Sequence, residues 1–97
     1  PPFGRLASII LSSREKEKGE IYAREFVRCA PLSQSIKILG PAEAPIFLVR
    51  GRYRWRLLAK ASRETDLQSY LRAWLEAVPD VSADLRVTID VDPYNFL

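Results

Sequence analysis

Ninety-seven residues fit one compact domain that buries about two-thirds of its unfolded surface and leave little room for a second. The hydrophobic (47%) and charged (28%) fractions are those of an ordinary globular chain, and no apolar run approaches the ~20 residues of a membrane helix. A net charge of +3, one cysteine (Cys29) and no histidine exclude an internal disulfide, a cysteine–histidine zinc site and histidine-based catalysis.

A lone thiol also points to a reducing, cytoplasmic setting. The chain begins Pro1-Pro2-Phe3 without an initiator methionine, so residues 1–97 are expected to be a single domain belonging to a longer protein.

Leu6 to Leu11 is a short apolar run of strand length, expected to be the first and central strand. Ser12 or Ser13 offers a helix cap. The apolar positions Ile21, Tyr22, Phe26, Cys29 and Ala30 then recur at helical spacing up to Pro31. Gly19 weakens the first turns of that helix by about 1 kcal/mol relative to Ala, so its start can slip to Glu20. Late on the helix, Cys29 reads as a small buried apolar residue.

Ile36 to Leu39 is a second strand, stopped by Gly40-Pro41. The segment from Gly40 to Pro45 is expected to lie outside the sheet, because proline lacks the ladder donor. Extended structure resumes from Ile46 to Val49, Gly51 marks a bulge or tight bend, and Arg52 to Lys60 is the third strand. Thr65-Asp66-Leu67-Gln68 fits a capping box led by Thr65. Leu67, Tyr70, Leu71, Trp74, Leu75 and Val78 follow as one apolar stripe, ended by Pro79. Arg86 to Val91 is the last strand, with Val87, Ile89 and Val91 on one face. The order βαββαβ gives an α+β sandwich: a four-stranded sheet with both helices on one face, its other face or a rim left for binding.

The chemical centre is Arg50-Gly51-Arg52-Tyr53-Arg54-Trp55-Arg56. Alternation puts Arg52, Arg54 and Arg56 on one face, about 6.5–7 Å apart, and Tyr53 and Trp55 on the other. That spacing is close to that of phosphates along a nucleic-acid strand, and guanidinium groups hold phosphate oxygens in pairs. Residues 36–63 carry seven basic residues against one acidic, whereas residues 64–97 carry two against seven. The candidate binding residues are therefore Arg50, Arg52, Arg54, Arg56, Lys60 and Lys37, with Tyr53 and Trp55 either stacking on bases or anchoring the core. A solvated arginine face, partly neutralised by Asp90 and Asp92, is the alternative.

Arg50-Gly51 touches the pattern of the RNA-recognition motif, but Arg52 stands where an aromatic is required. The chain has no phosphate-binding glycine loop, and Asp90 and Asp92 lack a third carboxylate for a metal, so a non-catalytic domain is expected. Arg63, just ahead of the second helix, is either a solvated loop residue or a partner for a peptide carboxylate aided by the helix dipole.

Five segments taken together carry a family resemblance. They are Pro1 to Ala7, Leu39-Gly40-Pro41-Ala42, the strand Arg50 to Lys60, Leu67-Gln68 with Leu71-Arg72, and Asp90-Val91-Asp92-Pro93. In this order they resemble the C-terminal region of the bacterial primosomal helicase family PriA (primosomal protein N′), across almost the whole chain. The resemblance implies a fold similar to ribosomal protein S10. It also implies a role in restarting DNA replication at collapsed forks, with this region helping to bind single-stranded or branched DNA. Further implied partners are the acidic tail of single-stranded-DNA-binding protein, the other domains of the helicase and other primosome proteins. ATP and zinc are implied only for parts of the family absent here.

Overall fold

The computed structural model describes residues 4–79 and 84–91. Six elements follow in the expected order: β1 (Arg5–Ser13), α1 (Lys16–Arg28), β2 (Ile36–Val49), β3 (Arg52–Ala61), α2 (Leu67–Ala77) and β4 (Arg86–Val91). The strands form one antiparallel sheet in the order β2-β3-β1-β4, so the first strand is indeed central.

Register makes one face of that sheet apolar. Leu11 lies opposite Trp55, Ile9 opposite Leu57 and Ala7 opposite Ala59, while β4 adds Val87 and Ile89 beside Leu11 and Ile9. Both helices close over this face. Ala23 and Phe26 of α1 and Leu67, Leu71 and Trp74 of α2 are buried in the same cluster as the strand residues. The Phe26 and Trp74 rings meet at 5.0 Å, and the indole N–H of Trp74 donates to the Phe26 carbonyl at 2.7 Å. A buried indole is satisfied without an added side chain. Among the described residues no helix lies over the opposite face of the sheet, in keeping with a smallest Cα extent of 16 Å, room for one sheet and one helical layer.

Four details differ from the sequence expectation. The helix α1 starts at Lys16, ahead of Gly19, and has no side-chain cap from its N-cap Glu15. Instead the Ser13 hydroxyl accepts the Glu15 N–H at 3.1 Å. Gly19 is there for close approach: a Cβ on it would lie 3.1 Å from the Trp55 indole nitrogen and from the Ser13 Cβ. Cys29 is the C-cap of α1 and only half-buried, its sulfur 3.8 Å from a Glu25 carboxylate oxygen, so it sits at the rim of the core.

The proline-rich segment belongs to the sheet after all. β2 runs unbroken from Ile36 to Val49 and absorbs the segment through two register shifts against β3, between Leu39 and Ala42 and between Glu43 and Leu48. This is possible because β2 is an edge strand, where a missing N–H facing outward leaves no ladder bond unmade. Finally, α2 is capped by Asp66, not Thr65: the Asp66 carboxylate accepts the Ser69 N–H at 3.1 Å, while the Thr65 hydroxyl pairs with that of Ser62 at 2.6 Å. Its stripe is buried at Leu67, Leu71 and Trp74 and exposed at Leu75.

Candidate nucleic-acid interface

The arginine segment is a hairpin turn followed by a strand. Arg50 and Gly51 both have positive φ, 52° and 78°, the sign pattern of the two-residue turns whose twist matches paired strands. Glycine adopts this region freely; an arginine there costs roughly 1–2 kcal/mol in backbone strain. The turn therefore projects Arg50 from the end of the sheet at some expense to stability.

Beyond the turn, strand alternation works as expected. Arg54 lies opposite Ser12, Arg56 opposite Ile10, and Lys60 opposite both Leu6 and Lys37, all on the face that no helix covers. Arg86, Thr88 and Asp90 of β4 oppose Ser12, Ile10 and Ser8, which places them on that face too. There Arg14, Arg50, Arg52, Arg54 and Arg86 converge on an open groove of about 460 Å³, floored by Ile10 and Ser12. Arg56, Lys60 and Lys37 continue the basic face outside the groove lining.

The arginines do different work. Arg52 is only 11% exposed along its side chain and is fully engaged. Its guanidinium donates to the Ser12 hydroxyl at 3.1 Å, the Ser12 carbonyl at 2.9 Å, the Asp84 carboxylate at 3.1 Å and the Asp84 carbonyl. Asp84 in turn accepts the Arg14 backbone N–H at 2.9 Å and the Ser13 hydroxyl at 2.8 Å. The Arg14 N–H above all, then the Ser13 hydroxyl, hold the Asp84 carboxyl below its ordinary range, with the Arg52 charge adding to them. This cluster ties the end of β1 and the start of β3 to the approach to β4. Arg54 donates to the Ile46 carbonyl at 2.9 Å at an exposed position. The side chains of Arg50 and Arg86 make no hydrogen bond or ion pair with other described residues, and both residues stand exposed.

The aromatic side chains of β3 lie on the other face. Trp55 is 6% exposed beneath α1, and Phe47 packs against both Tyr53 (5.4 Å) and Trp55 (4.9 Å). Trp55 belongs to the buried core cluster, whereas Tyr53 is half-buried outside it, against the Phe47 ring. Asp90 opposes Ser8 across the ladder with β1, yet it lines the same groove as Arg50, Arg52, Arg54 and Arg86. The acid in direct contact with the row is Asp84. Asp92 lies outside the described residues. Arg63 is exposed in the turn after β3, at the opposite end of that strand from the groove.

Sequence reasoning missed Arg14, Arg86 and Asp84. Alternation on β4 carried a signal for Arg86, since it has the parity of Thr88 and Asp90. Its place in the acidic part of the chain obscured that signal.

A family model for the C-terminal domain of primosomal protein N matches residues 1–94. The chain belongs to that family. The replication restart protein PriA of Rickettsia conorii is 40% identical over 96 residues, covering 99% of this chain and 14% of that relative. PriA of Bacillus subtilis is 31% identical over 101 residues, covering 100% of this chain and 12% of the relative. The chain thus spans about a seventh of the length of these PriA proteins and corresponds to their C-terminal domain. A solved structure of a de novo designed protein, Foldit4, shares the fold with a TM-score of 0.61 at 11% identity, covering 90% of this chain and 93% of the design. Among the described residues, no three His, Cys, Asp or Glu side chains gather to hold a metal ion, and no helix is long and apolar enough to cross a membrane.

Proposed function

We propose that this PriA C-terminal domain binds DNA through its backbone phosphates, in the groove on the open face of the sheet, as a non-catalytic module for fork recognition in replication restart. The observation that carries the proposal is the convergence of Arg14, Arg50, Arg54 and Arg86 from three separate parts of the chain on one groove. Guanidinium groups grip phosphate oxygens bidentately, and their clustering on one face is the electrostatic footprint of nucleic-acid binding. Arg50 supports the same reading: a side chain kept at a strained turn position, without a described partner, gives no evident return to folding. With the β3 rings turned inward, contacts are to phosphate rather than base and carry no sequence information. Single-stranded and branched DNA are the ligands proposed, with single-stranded-DNA-binding protein and the other primosome components as partners of the longer parent.

The test is a titration of a labelled single-stranded oligonucleotide at about 50 and about 200 mM salt, for which each phosphate contact contributes a slope of about −0.7. Wild-type binding should weaken as salt rises. The triple substitution Arg50→Ala, Arg54→Ala and Arg86→Ala should weaken it further and flatten the slope. A salt-independent affinity, or a triple variant that binds like the wild type, would remove the groove from consideration.

A further inference from the structure

The open face of the sheet is not uniformly charged. Register sets Leu58 of β3 between Leu39 of β2 and Ser8 of β1, on the face that no described helix covers. Leu6 and Ile10 lie two residues to either side of Ser8, opposite Lys60 and Arg56. Direct and diagonal neighbours on a pleated face are within reach of one another, so these four aliphatic side chains make one island around Leu58. Leu39 is 36% exposed, and Leu6, Ile10 and Leu58 are half-buried. None of the four belongs to the described core cluster or packs against it.

Cations bound the island at both ends. Along β3, Arg54 and Arg56 precede Leu58 and Lys60 follows it, with Lys37 of β2 directly opposite Lys60. Like charges facing each other across a ladder are destabilising, and an anion between them removes that cost. The ammonium groups of Lys37 and Lys60 make no hydrogen bond or ion pair with other described residues, and both residues are exposed. Asp90, the acid opposite Ser8, stands two strands away from Leu58. Arg56 and Lys60 are about 13 Å apart at ordinary strand rise, with Leu58 midway.

Resting on the reading of the open face as a DNA surface, we propose that the Leu58 island is a platform for an unpaired base and makes this face selective for single strands over duplex. A strand whose phosphates reach Arg56 and Lys60 carries the nucleotide between them across Leu58. Its base lays a flat apolar face on the aliphatic side chains and keeps its polar edge in water. In a duplex those faces are stacked inside, so phosphate and sugar meet the island, and phosphate loses hydration there without gaining a hydrogen bond. Every base has such a face, so the contact selects strandedness and not sequence. Contacts in the groove stay with phosphate, and the island adds the base contact beyond it.

Three labelled ligands of equal length separate the base contact from the phosphate contact: a thymidine oligonucleotide, the abasic sugar–phosphate chain and a duplex. Each is titrated against wild type and the double variant Leu39→Thr and Leu58→Thr, which keeps strand propensity and whose fold circular dichroism will confirm. Wild type should prefer the oligonucleotide to the abasic chain by about tenfold, the scale of one buried apolar contact. The double variant should lose that preference while keeping wild-type affinity for the abasic chain and the duplex. Equal, salt-dependent binding of both single-stranded ligands by wild type overturns the platform and leaves the phosphate groove in place. Binding to none of the three ligands removes both. A preference that survives the double variant, or a variant weakened alike for all three ligands, also overturns the platform.

Discussion

The two faces of β3 divide the labour of the domain between alternate residues of one strand. Trp55, Leu57, Ala59 and Ala61 point into the helix-covered core, while Arg54, Arg56 and Lys60 point to the open face. The core side is secured by shape and burial, and its members are interchangeable only with residues of similar volume. The open side makes few contacts that the fold requires, so it is free to carry charge. Arg52 is the exception that defines the rule: it shares the arginine parity, yet its guanidinium is enclosed by Ser12 and Asp84 and behaves as part of the framework.

The contrast can be broken most severely from the covered side. Trp74→Ala removes the largest fully buried side chain and the indole donor to the Phe26 carbonyl, and should cost about 3–5 kcal/mol in chemical unfolding. Arg52→Ala comes next. Loss of its charged hydrogen bonds should cost about 1.5–3 kcal/mol, which would set it apart from other open-face arginines, whose substitution should stay within about 0.5 kcal/mol.

A third experiment reads the same cluster through pH. Because Asp84 is held below its ordinary value of 3.8 in the folded state, its carboxylate contributes stability that is fully present above that value. The contribution is lost as pH falls through the lowered folded value. Denaturant midpoints followed from neutral pH into the carboxylate range should therefore fall for wild type, and fall less steeply for Asp84→Asn, which should already be weaker at neutral pH. The smallest effect sharpens the comparison most. Arg50→Asn suits a positive-φ turn better than arginine, so it should leave stability unchanged or raise it by up to about 1 kcal/mol while weakening oligonucleotide binding. A loss of both together would mean that Arg50 belongs to the framework.

How much of this the sequence reveals depends on whether the signal is local. The parity of the arginine strand and the stripe of α2 are legible because alternation and helical spacing translate directly into faces. The path of β2 is not, because proline's exclusion from a sheet applies only where its missing N–H would have been bonded. Whether a strand is an edge is a property of the topology, not of its own residues. The Arg52–Asp84 cluster is illegible for a similar reason. Asp84 reads as one more acid in an acidic segment until folding brings it to residues some 30 and 70 positions earlier in the chain. Even the cap of α2 turns on a choice between adjacent oxygen-bearing side chains, Thr65 and Asp66, that spacing alone cannot make.

The central position of β1 also governs the order of folding. The hairpin of β2 and β3 closes through a two-residue turn and needs nothing from outside, which places it among events of about 1–10 μs. β1 must wait for β3 on one side and for β4 on the other, its Ala7 pairing with Val91 near the far end of the chain. Such distant contacts put completion of the sheet in the slower range of mixed α/β domains. As the chain leaves the ribosome, β1 is made before the other strands of its sheet yet is the last to have both neighbours, and one row of its backbone groups stays unpaired until β4 arrives.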